Sequence, residues 1–539
     1  MEKIPPDFAF ELLPEDWGHI EPILTNAMYR VPELENIGVK KLLNGPESFT
    51  PDDNFLLGES PELRGFYLGC GMCSVGMACG GGAGRALAEW VIEGEPSMDL
   101  WPVDIRRFAK VQNSIRTLRE RSSETLSLHY AVSFPGRQYK TARNLRLSPL
   151  HSRLEKAGAV FSAQMGWERP WWFNPKGIST HPELSFEKPG WFFLHAQEHE
   201  AARKSVVLID QSTFGKLIVQ GRDAEKFLQR VCANDISSAH VKVVYTPLLN
   251  NHGGYESDLT IMGLDEDRFL LITGTGQPVR DHNWISRNIK PEEFVSVTDI
   301  TLDYAVISVA GPNSRKLLNL ASPDDFSNEG FSYFTHRNVE IGPAIVRAAR
   351  LSYTGELGWE LYVPSESAIP VFDTLNEYGS DLGLKLAGME ALRSLRIEKG
   401  FRAWGHEIGP YDTPFEAGMG FSVKLNKKVS FLGKEALVKQ KEKGINRYLV
   451  MLTAKDSEAH AHGGEPIWLN DKLAGHTTSG TFGHSVGCTV MMGYINCLDT
   501  KLEKTLSNGN FEVEIACRRF PAQASLEAPY DPKGCLLYT

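Results

Sequence analysis

The sequence has few cysteines, no long hydrophobic run and no excess of positive charge. Eight cysteines are spread over 539 residues, far fewer than a disulfide-held secreted scaffold needs, so a reducing compartment is expected. No apolar stretch approaches the roughly 18 residues of a membrane-spanning helix. The formal net charge of −10 argues against nucleic acid or an anionic membrane as a partner.

The first ten residues also lack the features of a targeting signal. They contain neither the basic and apolar segments of a signal peptide nor the Arg/Ser-rich composition of a transit peptide. The sequence therefore indicates either a cytosolic protein or a chain without its targeting segment.

The length and the hydrophobic patterning predict an α+β protein of several domains. At roughly 100–200 residues per domain, the chain should form about three or four of them. An apolar fraction of 42% and a charged fraction of 23% are ordinary for a globular protein. The pattern predicts these elements: a helix over 15–30, a loop over 44–54, a strand over 65–68, a glycine-rich loop leading to a helix over 85–93, a helical connector over 100–150, a packed surface loop over 166–173, alternating strands and helices from 206, a helix over 386–399, and a small antiparallel barrel or sandwich over 446–530.

A glycine-rich segment, Gly80-Gly81-Gly82-Ala83-Gly84, precedes the predicted helix 85–93. Small residues at a helix N-terminus let backbone amides approach a phosphate or an electron-rich flavin edge. The spacing is not the GxGxxG fingerprint of dinucleotide-binding proteins. A tight strand–helix turn without a ligand is an equal alternative.

Two acidic residues are candidates for chemistry. Asp258 follows the Gly253-Gly254 turn, at the predicted start of strand 259–262, where a carboxylate could act on an amine proton. A turn-capping aspartate is the simpler interpretation of that position. Glu360 lies in an apolar predicted strand, 357–363, where a carboxylate is costly unless it has a partner; an outward-facing position is the alternative.

Three further patterns are weaker. Arg393, Arg396 and Lys399 share one face of the predicted helix 386–399, and either bind a carboxylate ligand or pair on the surface with acids such as Glu390. The sequence 195–199 matches the HxxEH zinc pattern, although a polar helix face is the favoured interpretation. Cys70 and Cys73 have the CxxC spacing of redox proteins but lack the thioredoxin-like context. No metal site is predicted.

Several longer motifs resemble one group of proteins. Residues 200–530 resemble the aminomethyltransferase, or T-protein, of the glycine cleavage system, and the fused sarcosine and dimethylglycine dehydrogenases even more. The segments that carry the resemblance are Val207 to Ser212, Leu248 to Leu259, Tyr353 to Tyr362, Ser394 to Gly400, Thr413 to Gly418 and Phe431 to Lys434. Residues 44–52, 65–84, 104–108 and 166–170 resemble the end of the flavin domain and the connector of the same group.

The resemblance implies a domain organisation. The group begins with an ADP-binding unit and carries a histidine for a covalent flavin link; neither is present, so a chain truncated at its N-terminus is expected. The implied segments are the C-terminal part of an α/β FAD-dependent oxidoreductase domain (1–92), its helical central connector (93–150), an α+β folate-binding aminomethyltransferase-like domain (151–440), a C-terminal β-barrel (441–532) and a tail (533–539).

The resemblance also implies an activity. The complete enzymes oxidise sarcosine with FAD to an imine, pass electrons to electron-transfer flavoprotein, and transfer the one-carbon unit to tetrahydrofolate or its polyglutamates, in the mitochondrial matrix. Asp258 would be the catalytic residue that orients the folate amine and takes its proton. Tyr353 and Glu360 would line the pterin site, and Arg396 would face the folate tail. Thr50, Pro51, Asp52, Gly80, Gly81 and Gly82 would be what is left of the flavin contact surface.

Three alternatives stay open at this point. The chain could be a non-catalytic regulatory subunit like that of pyruvate dehydrogenase phosphatase, which has the same layout. It could belong to a dimethylglycine dehydrogenase, or it could be a stand-alone folate-dependent aminomethyltransferase that takes its imine from a separate oxidase.

Overall fold

The computed structural model describes residues 8–9, 11–178, 184–497 and 502–538, and it has the α+β multidomain architecture that the sequence predicts. An N-terminal part is followed by two facing sheets and a closed barrel. Within these ranges no helix is both long enough and apolar enough to cross a membrane. The predictions for residues 1–7 and for Thr539 fall outside the described residues.

Helices and strands are numbered in chain order. The helices are α1 (Trp17–Arg30), α2 (Gly76–Glu93), α3 (Ile115–Leu128), α4 (His151–Lys156), α5 (Phe192–Lys204), α6 (Ala224–Val231), α7 (Pro278–Arg287), α8 (Ser314–Ala321), α9 (Ala368–Gly379), α10 (Met389–Glu398), α11 (Lys434–Lys443) and α12 (Leu502–Asn508). The strands are β1 (Leu56–Glu59), β2 (Tyr67–Cys70), β3 (Ala159–Gln164), β4 (Trp167–Phe173), β5 (Val206–Asp210), β6 (Gly215–Gln220), β7 (Val244–Leu249), β8 (Tyr255–Asp265), β9 (Arg268–Thr273), β10 (Ser296–Asp299), β11 (Tyr304–Ala310), β12 (His336–Ile341), β13 (Ala344–Ala349), β14 (Gly358–Pro364), β15 (Leu384–Leu386), β16 (Arg447–Ala454), β17 (Pro466–Leu469), β18 (Lys472–Gly483), β19 (Cys488–Asn496), β20 (Phe511–Ile515) and β21 (Arg518–Ser525).

Helix α2 corrects the prediction for the glycine-rich segment. The helix begins at Gly76, so Gly80, Gly81 and Gly82 lie in its interior instead of in a turn before it. Interior amides bond to carbonyl groups four residues earlier and cannot form a ligand cradle. Glycine disfavours a helix, but burial of Ala86 and Trp90 against the β1–β2 hairpin outweighs that cost.

A hairpin directly after the connector replaces the surface loop predicted over 166–173. Residues 167–173 form strand β4, which pairs with β3 and buries Trp167 and Trp172. Pro170 is tolerated because this sheet has only two strands and the register shifts beside it.

The central part consists of two mostly antiparallel sheets that face each other. The first has the order β10-β6-β9-β8-β7, and the second has the order β12-β13-β14-β11-β5-β15. Helices α6 and α7 cover the outer face of the first sheet, and α8 and α9 cover that of the second. The inner faces meet in one apolar cluster that includes Met262, Ile272, Val306 and Tyr362.

Strand alternation sends both acidic candidates toward the space between the sheets. On β8, Leu259 and Ile261 pack toward the helices, so Asp258 shares the inner face with Met262. On β14, Trp359 and Leu361 pack outward, and Glu360 therefore shares the inner face with Tyr362.

The C-terminal part confirms the predicted barrel. Its six strands close in the order β16-β19-β18-β17-β20-β21 around an apolar core that includes Val450, Met491 and Phe520. Helix α10 packs against β18 of the barrel and against α5, so this helix joins the barrel to the second sheet.

Candidate functional site

Asp258 is held by one tyrosine in a largely enclosed position. It is the fourth residue of β8 and not the start of a strand, because the hairpin begins directly after Gly254. Gly254 is required there, since a Cβ atom would lie 1.8 Å from the Pro410 carbonyl oxygen. The Tyr245 hydroxyl donates to Oδ2 of Asp258 at 3.1 Å. Burial raises the pKa of Asp258 to about 6, and the tyrosine hydrogen bond opposes this by less.

Glu360 has a similar arrangement in the second sheet. Its side chain is buried, and the Tyr362 hydroxyl donates to its Oε2 at 2.6 Å. Within the described part of the chain, Tyr362 is its only hydrogen-bond partner. Burial raises the pKa of Glu360 to about 7, which the tyrosine partly opposes. The predicted outward-facing alternative is therefore wrong, and the buried carboxylate has unused capacity to accept hydrogen bonds.

Tyr353 lies between these two acids in the sequence and close to Asp258 in space. Its hydroxyl donates to the carbonyl oxygen of Arg402 at 2.5 Å, and its ring stacks on Phe401 with centroids 5.7 Å apart. Burial raises its pKa, and the charges of Asp258 and Arg402 both act on its hydroxyl. The Tyr353 hydroxyl is therefore neutral, and its aromatic ring is held in a fixed position beside the site.

Arg393 and Arg396 of α10, and Lys399 directly after it, have partners inside the protein. Arg396 pairs with Glu407 at 2.6 Å and donates to the Ser479 hydroxyl at 2.8 Å. Arg393 donates to the carbonyl oxygens of His462 and Gly480, so the predicted surface pairing with Glu390 is wrong. These contacts tie α10 to the barrel. A contact of Arg396 with the folate tail stays a prediction.

The third basic residue and the acid beside it extend this junction. Lys399 Nζ is 2.5 Å from a carboxylate oxygen of Asp531. Glu398 is fully buried and contacts Arg203 at 2.9 Å and His199 at 3.3 Å. Burial alone would raise its pKa, but these two partners lower it to about 2. Glu398 is therefore an ionised anchor between α5, α10 and the barrel.

The HxxEH residues are buried and belong to the same junction, so their interpretation as a polar helix face is wrong. His199 lies 2.7 Å from the Ser394 hydroxyl and 2.8 Å from that of Ser485. Glu198 accepts backbone N–H groups of Phe173 and Gly388, and burial raises its pKa to about 8. Across the described ranges, no group of three or more potential ligands could hold a metal ion.

The residues predicted to be left from a flavin surface are engaged locally. The Thr50 hydroxyl donates to the Asn54 carbonyl oxygen at 2.8 Å, and Asp52 pairs with Arg107 at 2.6 Å. The Pro51 carbonyl oxygen accepts from the Thr125 hydroxyl. Thr50, Pro51 and Asp52 thus form a turn that is tied to the connector.

The CxxC pair forms no disulfide. Cys70 is exposed, and the Cys73 thiol donates to the Gly71 carbonyl oxygen at 3.0 Å.

Three residues of the site were not predicted from the sequence: Tyr245, Tyr362 and Arg402. Each tyrosine could have been found from strand alternation. Tyr362 is two residues after Glu360 and so shares its face, and Tyr245 lies on the strand that pairs with β8. Arg402 lies in a loop and carries no periodic signal.

Comparison with protein families agrees with this geometry. Four family models match in order along the chain: FAD dependent oxidoreductase over 4–90, FAD dependent oxidoreductase central domain over 93–148, GCVT N-terminal domain over 150–427, and glycine cleavage T-protein C-terminal barrel domain over 447–531. The chain belongs to the glycine cleavage T-protein family. The solved structure of an aminomethyltransferase from Bartonella henselae matches this chain with a TM-score of 0.61 and 25% identity, over 71% of the chain and 97% of that structure.

Curated relatives extend the similarity over nearly the whole chain. The chain is 41% identical to a 4-methylaminobutanoate oxidase (formaldehyde-forming) from Paenarthrobacter nicotinovorans, over 99% of the chain and 64% of that protein. It is 38% identical to the mitochondrial sarcosine dehydrogenase of Mus musculus, over 98% of the chain and 62% of that protein. The resemblance predicted from the motifs is confirmed. The chain spans less than two thirds of the length of these two proteins.

Proposed function

We propose that this chain carries the folate-dependent half of a sarcosine dehydrogenase-like flavoprotein. In the proposed whole reaction, sarcosine is demethylated oxidatively to glycine, electrons pass to electron-transfer flavoprotein, and the one-carbon unit is taken up by tetrahydrofolate. The observation that carries the proposal is a pair of acids, the partly buried Asp258 and the buried Glu360, which face the space between the two sheets with one tyrosine donor each.

The described residues fit a reduced folate. Its pterin ring presents N–H groups, and Glu360 is a buried acceptor that lacks a second donor in the described part of the protein. Tyr353 offers an aromatic face beside the site, and its hydroxyl group is held in place by the Arg402 carbonyl oxygen. We infer that Glu360 and Tyr353 hold the pterin ring.

Asp258 has the properties of a general base. Bound tetrahydrofolate would supply the amine nitrogen atoms that accept the one-carbon unit. With a pKa of about 6, Asp258 is mostly ionised at neutral pH and can take a proton from an amine within hydrogen-bond reach. The hydrogen bond from the Tyr245 hydroxyl holds the Asp258 carboxylate in one orientation.

The substrate class comes from the relatives. The names sarcosine, dimethylglycine and 4-methylaminobutanoate all denote amino acids methylated at nitrogen. We propose an N-methyl amino acid as the source of the one-carbon unit, and a mitochondrial location from the names of the mammalian relatives. FAD belongs to the proposed whole enzyme. At Gly80–Gly82, the described residues between 8 and 92 offer no amide cradle for a flavin, because these glycines lie inside α2.

Two other functions have a specific observation in their favour. The regulatory subunit of pyruvate dehydrogenase phosphatase from Mus musculus is 35% identical over 95% of the chain, which fits a non-catalytic scaffold. An aminomethyltransferase from Halothermothrix orenii is 36% identical over 56% of the chain, which fits a stand-alone folate enzyme. The first alternative requires no folate binding, and the second requires no oxidase domain on the same chain.

Calorimetric titration of the chain with tetrahydrofolate tests the proposal. Saturable binding of one molecule, followed by formation of 5,10-methylenetetrahydrofolate when an imine is supplied, is expected. Absence of binding would favour the scaffold. Binding and transfer supported equally by an unrelated oxidase would favour the stand-alone aminomethyltransferase.

A further inference from the structure

Arg402 is a half-buried cation without an acidic partner. Its Nε donates to the Ala417 carbonyl oxygen at 3.0 Å, and its Nη1 donates to the Gly400 carbonyl oxygen. Among the described residues, no carboxylate lies within 4 Å of its guanidinium and no hydrogen bond is formed by Nη2. By contrast, Arg396 is paired with Glu407 at 2.6 Å. Burial lowers the pKa of Arg402, and the charge of Glu407, which is paired with Arg396, opposes this only in part.

The loop that carries Arg402 forms one side of the candidate site. Its backbone accepts the Tyr353 hydroxyl, Phe401 stacks on the Tyr353 ring, and Trp404 Nε1 contacts the Tyr255 carbonyl oxygen at 3.4 Å. The charges of Arg396 and Glu407 act on the Tyr353 hydroxyl most strongly, and those of Asp258 and Arg402 act on it to a smaller extent. The guanidinium and the proposed base therefore act on the same small region.

Space around the guanidinium is kept by a glycine. A Cβ atom on Gly418 would lie 3.1 Å from Nη2 of Arg402, and the backbone of Gly418 has φ +67°, which disfavours other residues. Nη2 of Arg402 has no hydrogen-bond partner among the described residues, and its N–H groups can donate charge-assisted hydrogen bonds to a carboxylate.

We propose that Arg402 is a carboxylate-binding residue of the one-carbon site. The inference rests on the proposed function and deepens it, because that reaction brings two carboxylates to the site. One is the carboxylate of the amino-acid imine, which lies two bonds from the imine nitrogen. The other is the glutamyl carboxylate of the folate tail. The guanidinium group can bind either carboxylate by the same chemistry, a charge-assisted hydrogen bond.

The test compares ligands with and without each carboxylate. Formation of the methylene product is measured with formaldehyde plus glycine and with formaldehyde plus glycinamide, which has the same shape but no carboxylate. Each is repeated with tetrahydrofolate and with tetrahydropteroamide, which lacks the glutamate and carries a neutral amide in place of the benzoate carboxylate, and the uncatalysed rate is subtracted. The variants are Arg402→Gln and Arg402→Lys. Arg393→Gln is the matched control, because Arg393 also donates only to backbone carbonyl oxygens.

We expect Arg402→Gln to lower kcat/KM by about 10- to 100-fold for the ligand whose carboxylate it binds, the range for a hydrogen bond to a charged group. The matching neutral analogue should be converted equally by both proteins. A penalty confined to glycine over glycinamide assigns the imine carboxylate, and one confined to tetrahydrofolate over tetrahydropteroamide assigns the folate tail. Arg402→Lys should retain part of the rate, and Arg393→Gln all of it.

An equal loss of kcat/KM in Arg402→Gln for all four combinations of amine and folate would show that Arg402 is structural. No loss of kcat/KM with any combination would show that Arg402 binds neither carboxylate. Either result overturns the inference. The proposed function would survive both, provided that the wild-type chain transfers the one-carbon unit and Asp258→Asn does not. A wild-type chain that transfers nothing would remove the proposed function and the carboxylate site together.

Discussion

Tyr362 donates a 2.6 Å hydrogen bond to Glu360, two residues earlier on the same strand, within the space between the two sheets. The pair satisfies one carboxylate oxygen and leaves acceptor capacity for a ligand. Glu360→Gln should weaken tetrahydrofolate binding by about 1.5–3 kcal/mol, the contribution of a hydrogen bond to a charged group. Calorimetry measures this. Glu340→Gln, an exposed strand glutamate, is the control.

The same substitution should not harm the ligand-free fold. Burial raises the pKa of Glu360 to about 7, above the value near 4.3 of an unfolded chain. The protonated acid is thus favoured on folding, and this contribution is lost as pH rises through about 7. We expect the Tm of Glu360→Gln to equal or exceed that of wild type at pH 8, with no gain at pH 4. Unfolding of the ligand-free variant with unchanged folate affinity would instead place Glu360 in a structural network.

Asp258→Asn should separate binding from chemistry. The amide keeps the shape of the side chain but cannot accept a proton, so one-carbon transfer should fall by about 100-fold or more while folate affinity stays within about tenfold. Asp265→Asn is the control, because Asp265 ends the same strand with a side chain that is 61% exposed. Normal transfer by Asp258→Asn would show that Asp258 is structural.

The rate of one-carbon transfer should rise with pH through about 6, where Asp258 loses its proton. Tyr245→Phe removes the hydrogen bond that lowers this pKa, so the midpoint should move to higher pH. Tyr448→Phe, which removes a hydroxyl in the barrel, should leave the midpoint in place. A midpoint that is the same in wild type and Tyr245→Phe would argue against Asp258 as the titrating base.

The chain as given should bind no stable FAD. The amides of Gly80–Gly82 are used inside α2, and the sequence has no GxGxxG unit for the ADP part of the cofactor. The visible spectrum after desalting is the measurement, and a yellow protein with one flavin per chain would contradict the prediction.

Limited proteolysis should begin in the N-terminal part. No residue of α1 is buried, and the side chains of Ile23, Met77 and Ile92 are more than half exposed. Few apolar contacts mean a low free energy of local opening. Mass spectrometry of early tryptic fragments should place the first cuts before residue 93 and leave 150–530 intact. Equal resistance along the chain would be the contrary result.

The sequence predicts the secondary structure correctly where the hydrophobic pattern of a segment agrees with its packing in the folded chain. The apolar neighbours of Glu360 predict a strand, and strand β14 is found there. The glycine-rich segment was mispredicted because local preference favours a turn, whereas Trp90 buries the helix face against the hairpin. Arg402 could not be predicted, because its position depends on Tyr353 and Gly418, which contact it only after the chain has folded.

Asp258 and Glu360 come from different sheets, and the space between them exists only when both sheets are formed and packed together. Any ligand held by both acids therefore binds the native state and not the unfolded chain. Such a ligand shifts the folding equilibrium by mass action, by about 2.7 kcal/mol at a concentration one hundred times its Kd. The supply of reduced folate would then raise the thermal midpoint of unfolding of the chain, as well as its rate of one-carbon transfer.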